Sequence, residues 1–185
     1  MIAPTLSSKI NFSIKEYEIP ILPEAKAEWI AALRSGDYEK TVGSLRIGDG
    51  FCCLGVASDL FIKKNKAYEW EPTEDREIID KGRGARILCN GRPSTSGTPA
   101  YLLSFVQVWL CGCLHKGKTD REEEWQSCLA QLNDSGVNFN QIADVIERGV
   151  VYEFNNQSFA TREEAEREEA AYKACLEDPK RSRYP

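Results

Sequence analysis

Apolar and polar residues alternate through "INFSIKEYEIPI", Ile10 to Ile21, the pattern of a half-buried strand. Pro20 ends that strand or marks it as an edge. The period then lengthens to that of a helix in "EAKAEWIAALRSG". Pro23 suits a first helical turn. Ala25, Trp29, Ile30 and Leu33 share one face, and Gly36 accepts the left-handed geometry of a helix stop. "TVGSLRI" reads as a short strand and "GDG" as the turn after it. A helix from Phe51 to about Ile62 follows. It is apolar on most of its surface, through Phe51, Cys53, Leu54, Val56, Ala57, Leu60 and Phe61. A helix with apolar residues all round is a buried one.

From Lys63 to Pro99 the periodicity weakens. "AYEWEP" and "ARILCN" have strand character, the charged stretch "TEDREIIDKGRG" separates them, and "GRPSTSGTP" is loop chemistry. Long irregular segments are where functional elaboration concentrates. Thr98 and Pro99 supply an N-cap and first position for "AYLLSFVQVWL", which Gly112 ends. Thr119 and Glu122 form a capping box for a helix through Leu132, with Trp125, Cys128, Leu129 and Leu132 on one stripe. "NDSG" breaks it. Asn138 and Gln141 form a second box, opening a helix with Phe139, Ile142, Val145 and Ile146 inward. "VVYEF" is a strand, and Thr161 with Glu164 opens a last helix that is charged on most faces. The modest stripe of Ala165, Tyr172, Cys175 and Leu176 predicts peripheral docking for that helix. The expectation is a single α+β domain over residues 1–178: a small antiparallel sheet with helices packed on it and one buried central helix. Residues 63–98 form a variable, loop-rich segment, 161–177 a peripheral charged helix, and 179–185 a mobile tail.

A chain of 185 residues, 42% hydrophobic and 29% charged, can bury a core without staples. Its formal net charge of −5 repels nucleic acid and anionic membranes, so neither is an expected partner. No charged and apolar leader opens the chain and no apolar run nears about 18 residues. The expected location is therefore the cytoplasm. Seven cysteines cannot all pair internally, and in a reducing compartment they read as buried small hydrophobes.

Four groups of residues carry candidate chemistry. Cys52 and Cys53 open the apolar helix, where the helix dipole would favour a thiolate. With His115 as base, and Asn133 or Asp134 to orient it, they would make a cysteine-dependent enzyme. The plainer reading is that Cys53 packs in the core, with Cys52 less deeply buried. "CGCLH" offers Cys111, Cys113 and His115, but the second knuckle of a zinc site is missing, so no metal is expected. "LAQLNDSGVNFNQIADVIERG" resembles two-thirds of a helix-turn-helix, yet strand-like residues follow where the recognition helix should lie. "DKGRGARI", with Lys81, Arg83 and Arg86 and with Arg92 assisting, can cradle an anion, since arginine forks and bare glycine amides suit phosphate. It matches no cofactor fingerprint, so no cofactor is expected.

Two blocks, "WIAALRSGDYEKTVGSLRIGDGFCCLGVASDLF" and "LAQLNDSGVNFNQIADVIE", together resemble a group of short uncharacterised proteins, largely encoded by bacteriophages. The pattern is a Trp-x3-Leu-x-Ser-Gly-x-Tyr helix end, a Cys-Cys-Leu-Gly-Val core helix, and a Leu-Asn-Asp-x-Gly turn before an Ile-Ala-Asp helix. It is met at Trp29, Leu33, Ser35, Gly36, Tyr38, Phe51 to Val56, Leu132 to Asp134, Gly136, and Ile142 to Asp144. The resemblance implies a phage accessory protein in the host cytoplasm. It would act by binding a host factor or a small anionic, nucleotide-like ligand, and in doing so counter host defence. A cysteine-dependent enzyme is the alternative and a virion structural component the third reading.

Overall fold

The computed structural model describes residues 13–73, 84–94, 99–112 and 124–177, with side chains to residue 175. Helix α1 (Pro23–Ser35) runs from Pro23 to a left-handed cap at Gly36, as its sequence predicts, and buries Ala25, Trp29 and Leu33. Helix α2 (Cys53–Lys64) is the centre of the core: every residue from Cys53 to Asp59 is buried, and so is Phe61. Helices α3 (Ser104–Cys111), α4 (Glu124–Asp134) and α5 (Phe139–Arg148) complete the apolar cluster, and α6 (Arg162–Glu177) lies outside it.

The strands form three small sheets and not the single sheet expected. In the first, β1 (Lys15–Glu18) pairs antiparallel with β8 (Val150–Phe154), which pairs with β9 (Gln157–Phe159). Strand β1 lies at an edge, as Pro20 implies. Strand β9 has no clear sequence pattern. Its turn does: Asn155 and Asn156 both take positive φ, at 50° and 61°, the requirement of a two-residue type I′ hairpin. In the second sheet, β3 (Arg46–Ile47) pairs antiparallel with β4 (Gly50–Phe51), while β2 (Glu39–Lys40) runs parallel to β4. The third joins β5 (Tyr68–Pro72), β6 (Ala85–Cys89) and β7 (Arg92–Pro93). A bridge from Ile47 to Gly84 links the second sheet to the third.

Several boundaries differ from the sequence pattern. Phe51 belongs to β4 and not to α2. Helix α3 begins at Ser104, because the backbone before it is engaged elsewhere: the Pro99 carbonyl accepts from Leu45 N–H at 2.9 Å, and the Leu102 N–H donates to Gln126 Oε1 at 3.3 Å. Both remaining capping boxes form as read, at Asn138–Gln141 and Thr161–Glu164. The docking stripe of α6 is shorter than expected. Ala165 is buried and Tyr172 meets Phe154 edge-on at 5.9 Å, but Cys175 is exposed. Thr98, the Thr119–Glu122 box and the 179–185 tail lie outside the described residues.

Among the described residues, Gly55 is the one glycine whose missing side chain the packing demands. A Cβ there would lie 1.7 Å from the Leu45 carbonyl oxygen, so α2 rests directly on the 45–46 backbone. That contact brings β3 against the central helix and sets the position of Arg46.

Candidate functional site

The N-terminus of α2 is closed by its own packing. Cys52 is its N-cap, the thiol accepting from Gly55 N–H at 3.3 Å. Cys52 is 3% exposed and Cys53 is fully buried, so Cys52 is the shallower of the two by a small margin and both lie in the core. Desolvation pushes the Cys52 thiol up to about 11 and the Cys53 thiol well above its ordinary value, because burial penalises a thiolate more than the helix end favours it. Asn133, buried at the end of α4, accepts from Cys53 N–H at 3.2 Å and donates to Thr41 O at 2.8 Å. The "LND" residue read as a local turn former is a long-range tie between α4, the start of α2 and the residue that follows β2. His115 and Cys113 lie outside the described residues. Among the described residues no three histidine, cysteine or acidic side chains cluster as metal ligands.

The anion-cradle residues do not converge where they are described. Lys81 and Arg83 lie outside the described residues. Arg86 sits in β6 opposite Glu71 of β5 and pairs with it at 2.6 Å. Arg92, in β7, stands opposite Cys89. Directly opposed residues share a face and successive residues alternate, so Arg86 and Arg92 belong to opposite faces of that sheet. After α5 comes strand β8, so no recognition helix follows the α4–α5 pair.

A different cluster is built around α2. Asp59, one of two polar residues in the run of buried residues from Cys53 to Asp59, is 6% exposed. Its Oδ1 accepts from the Trp70 indole N–H at 2.9 Å. Its Oδ2 accepts from the Tyr38 hydroxyl at 2.8 Å and from the Lys63 ammonium at 2.8 Å. Lys63 also donates to the Tyr38 oxygen at 3.0 Å. One carboxylate therefore fixes an aromatic ring from the α1–β2 turn and another from β5. Asp59, followed by Tyr38, holds the Lys63 pKa above its usual value. Burial chiefly raises that of Tyr38, so at neutral pH Tyr38 is a phenol and a hydrogen-bond donor, not a base.

Between the two fixed rings lies Phe51. Tyr38 meets it edge-on at 5.2 Å and Trp70 at 6.0 Å. The register of β3 and β4 sets Arg46 opposite Phe51. The guanidinium lies over both rings, 5.0 Å from the Phe51 centroid and 5.7 Å from that of Trp70. Its Nε donates to Gly48 O at 2.9 Å, and its carboxylate partner is exposed Asp49 at 3.8 Å, beyond hydrogen-bond reach. Arg46 walls two clefts. One, of about 660 Å³, is floored by Ala31, Ala32, Leu60, Tyr38 and Phe51. The other, of about 310 Å³, is lined by Gly48, Asp49, Trp70, Pro72 and Ala85.

Charge in the larger cleft is mostly cancelled internally. Asp59 is paired with Lys63, and Glu28 with Lys64. Asp37 stands exposed at the rim. Arg46 is left as the cation with only a loose partner. None of Arg46, Asp59, Lys63 or Trp70 stands out in the sequence as a site. The available signal was an aspartate and a lysine, four apart, interrupting a helix otherwise fit only for burial.

A family model described as a domain of unknown function (DUF8296) matches residues 21–91. Those residues include every side chain named above as lining the two clefts, and they exclude α3 to α6. No curated protein and no solved structure matches the chain.

Proposed function

We propose that this protein acts by binding, and that its ligand is a small organic anion with a planar group, held against Arg46. The observation that carries the reading is the Arg46 guanidinium lying over Phe51 and Trp70 with its carboxylate partner 3.8 Å away. A stacked guanidinium is weakly hydrated and keeps its in-plane donors for a carboxylate or phosphate oxygen. The apolar floor of Ala31, Ala32 and Leu60 suits the flat part of such a ligand. Exposed Asp37 at the rim disfavours ligands of high negative charge. The motif resemblance supplies the setting: a phage accessory protein that takes up a nucleotide-like ligand or engages a host factor, and thereby counters host defence. The cysteine-enzyme alternative is disfavoured by the burial of both thiols.

Isothermal titration with adenosine 5′-monophosphate at low salt tests the reading. Binding should weaken by roughly 10- to 150-fold in Arg46→Ala, the loss of a charge-assisted hydrogen bond of about 1.5–3 kcal/mol. Absence of binding to the wild type, or equal binding by the variant, would refute it.

A further inference from the structure

The two clefts share one side chain. Arg46 lines both, with Tyr38 and Phe51 on one side of it and Trp70 with Pro72 on the other. Asp59 holds the rings at both ends of this row, through the Tyr38 hydroxyl at 2.8 Å and the Trp70 indole at 2.9 Å. The row is therefore fixed before any ligand arrives, and each side of the guanidinium has its own aromatic or apolar floor. With Lys63 and Lys64 already paired to Asp59 and Glu28, the two clefts offer, among the described residues, one loosely partnered cation between two ring-binding surfaces.

We infer that the ligand is two-headed: two planar bases joined by a single phosphodiester, as in a dinucleoside monophosphate, with the phosphodiester on Arg46 and one base in each cleft. This rests on the reading of Arg46 as an anion-binding residue and adds the second base and the single charge. A phosphodiester carries one negative charge, which one arginine neutralises. A terminal phosphate carries more, and Asp37 and Asp49 at the rims of the two clefts oppose the excess. Linking two ring-binding groups makes the second contact intramolecular and raises affinity without requiring either site to be strong. Asp59 is a positioning residue here, because it acts through Tyr38 and Trp70.

The test compares adenylyl-(3′→5′)-adenosine with adenosine 5′-monophosphate by calorimetry on the intact protein. The dinucleotide should bind at least about tenfold more tightly, the gain expected from one further base stacked on an aromatic ring. Trp70→Leu should lower the dinucleotide affinity by more than the mononucleotide affinity and so shrink that advantage. A measurement on wild-type protein avoids dependence on the variant's folding: amide resonances of Gly48, Asp49 and Ala85 should shift further with the dinucleotide than with the mononucleotide, Ala85 most selectively because it lines only the smaller cleft while Gly48 and Asp49 also partner Arg46. Equal affinity for the two ligands, or no shift at those amides, overturns the two-headed ligand and leaves the proposed anion site standing. Failure of both ligands to bind overturns the anion site, and the inference with it.

Discussion

The reactivity of Cys52 decides between a binding protein and a cysteine enzyme, and the structure sets its magnitude. Burial lifts the Cys52 thiol from an ordinary 9.0 to about 11. At pH 8 an unperturbed thiol is about 9% thiolate and one at 11 about 0.1%, so thiolate supply alone slows Cys52 by about 100-fold. Access slows it further, since the residue is 3% exposed and its sulfur accepts the Gly55 amide. Exposed Cys175 provides an internal reference. In native protein treated with an aromatic disulfide reagent at pH 8 and mapped by peptide mass spectrometry, Cys52 and Cys53 should label at least about 100-fold more slowly than Cys175. In denaturant all three should label alike. Labelling of Cys52 within about tenfold of Cys175 in the native state would refute the closed helix terminus and restore the enzyme reading.

The same burial makes stability fall in alkali. A thiol whose folded pKa lies above its unfolded value binds more proton in the folded state between the two, so stability is intact below about pH 9 and declines toward pH 11. For Cys52 the full loss, reached only above about pH 11, is about 3 kcal/mol, of which about 2 kcal/mol falls between pH 8 and pH 10.5; urea midpoints at those two pH values should show a decrease that Cys52→Ser reduces. Gly55→Ala forces a Cβ to within 1.7 Å of the Leu45 carbonyl, so the two backbones must part by roughly 1.5 Å, breaking the Cys52 N–H bond to that oxygen. Even after a helix-propensity gain of about 1 kcal/mol, the variant should lose about 3 kcal/mol or more in urea unfolding, and an unchanged midpoint would show that α2 does not rest on β3. Asn133→Ala strands the Cys53 amide and the Thr41 carbonyl, and should cost about 2–4 kcal/mol by the same assay. Asp59→Ala removes the acceptor shared by Tyr38, Lys63 and Trp70. It should cost about 2–4 kcal/mol, while Asp59→Asn, which keeps shape and part of the bonding, should cost less.

What the sequence determined by itself were the elements whose specification is local. Helix α1 has its proline, its apolar stripe and its glycine cap within fourteen consecutive residues, Pro23 to Gly36, and each acts on neighbours one turn away. The capping boxes of α5 and α6 span four residues each, and both form as read. The burial of the Cys53–Asp59 part of α2 followed from composition, because a helix that is mostly apolar around its surface has little to offer water. The tertiary structure decided whatever depends on partners distant in sequence. Pairing among strands of two residues carries too little pattern to fix a register, so the second sheet and the Ile47–Gly84 bridge were not legible. The late start of α3 is set by Leu45 and Gln126, residues outside the segment that competes to be helical. The site belongs to the same class. Asp59 and Lys63 are one helical turn apart and could be paired on paper, but Tyr38 lies 21 residues before Asp59 and Trp70 11 after it. Arg46 acquires its aromatic bed only when β3 pairs with β4 and α2 closes on Leu45 through Gly55. Chain spacing carries no information about such meetings, because packing and not covalent proximity brings those side chains together.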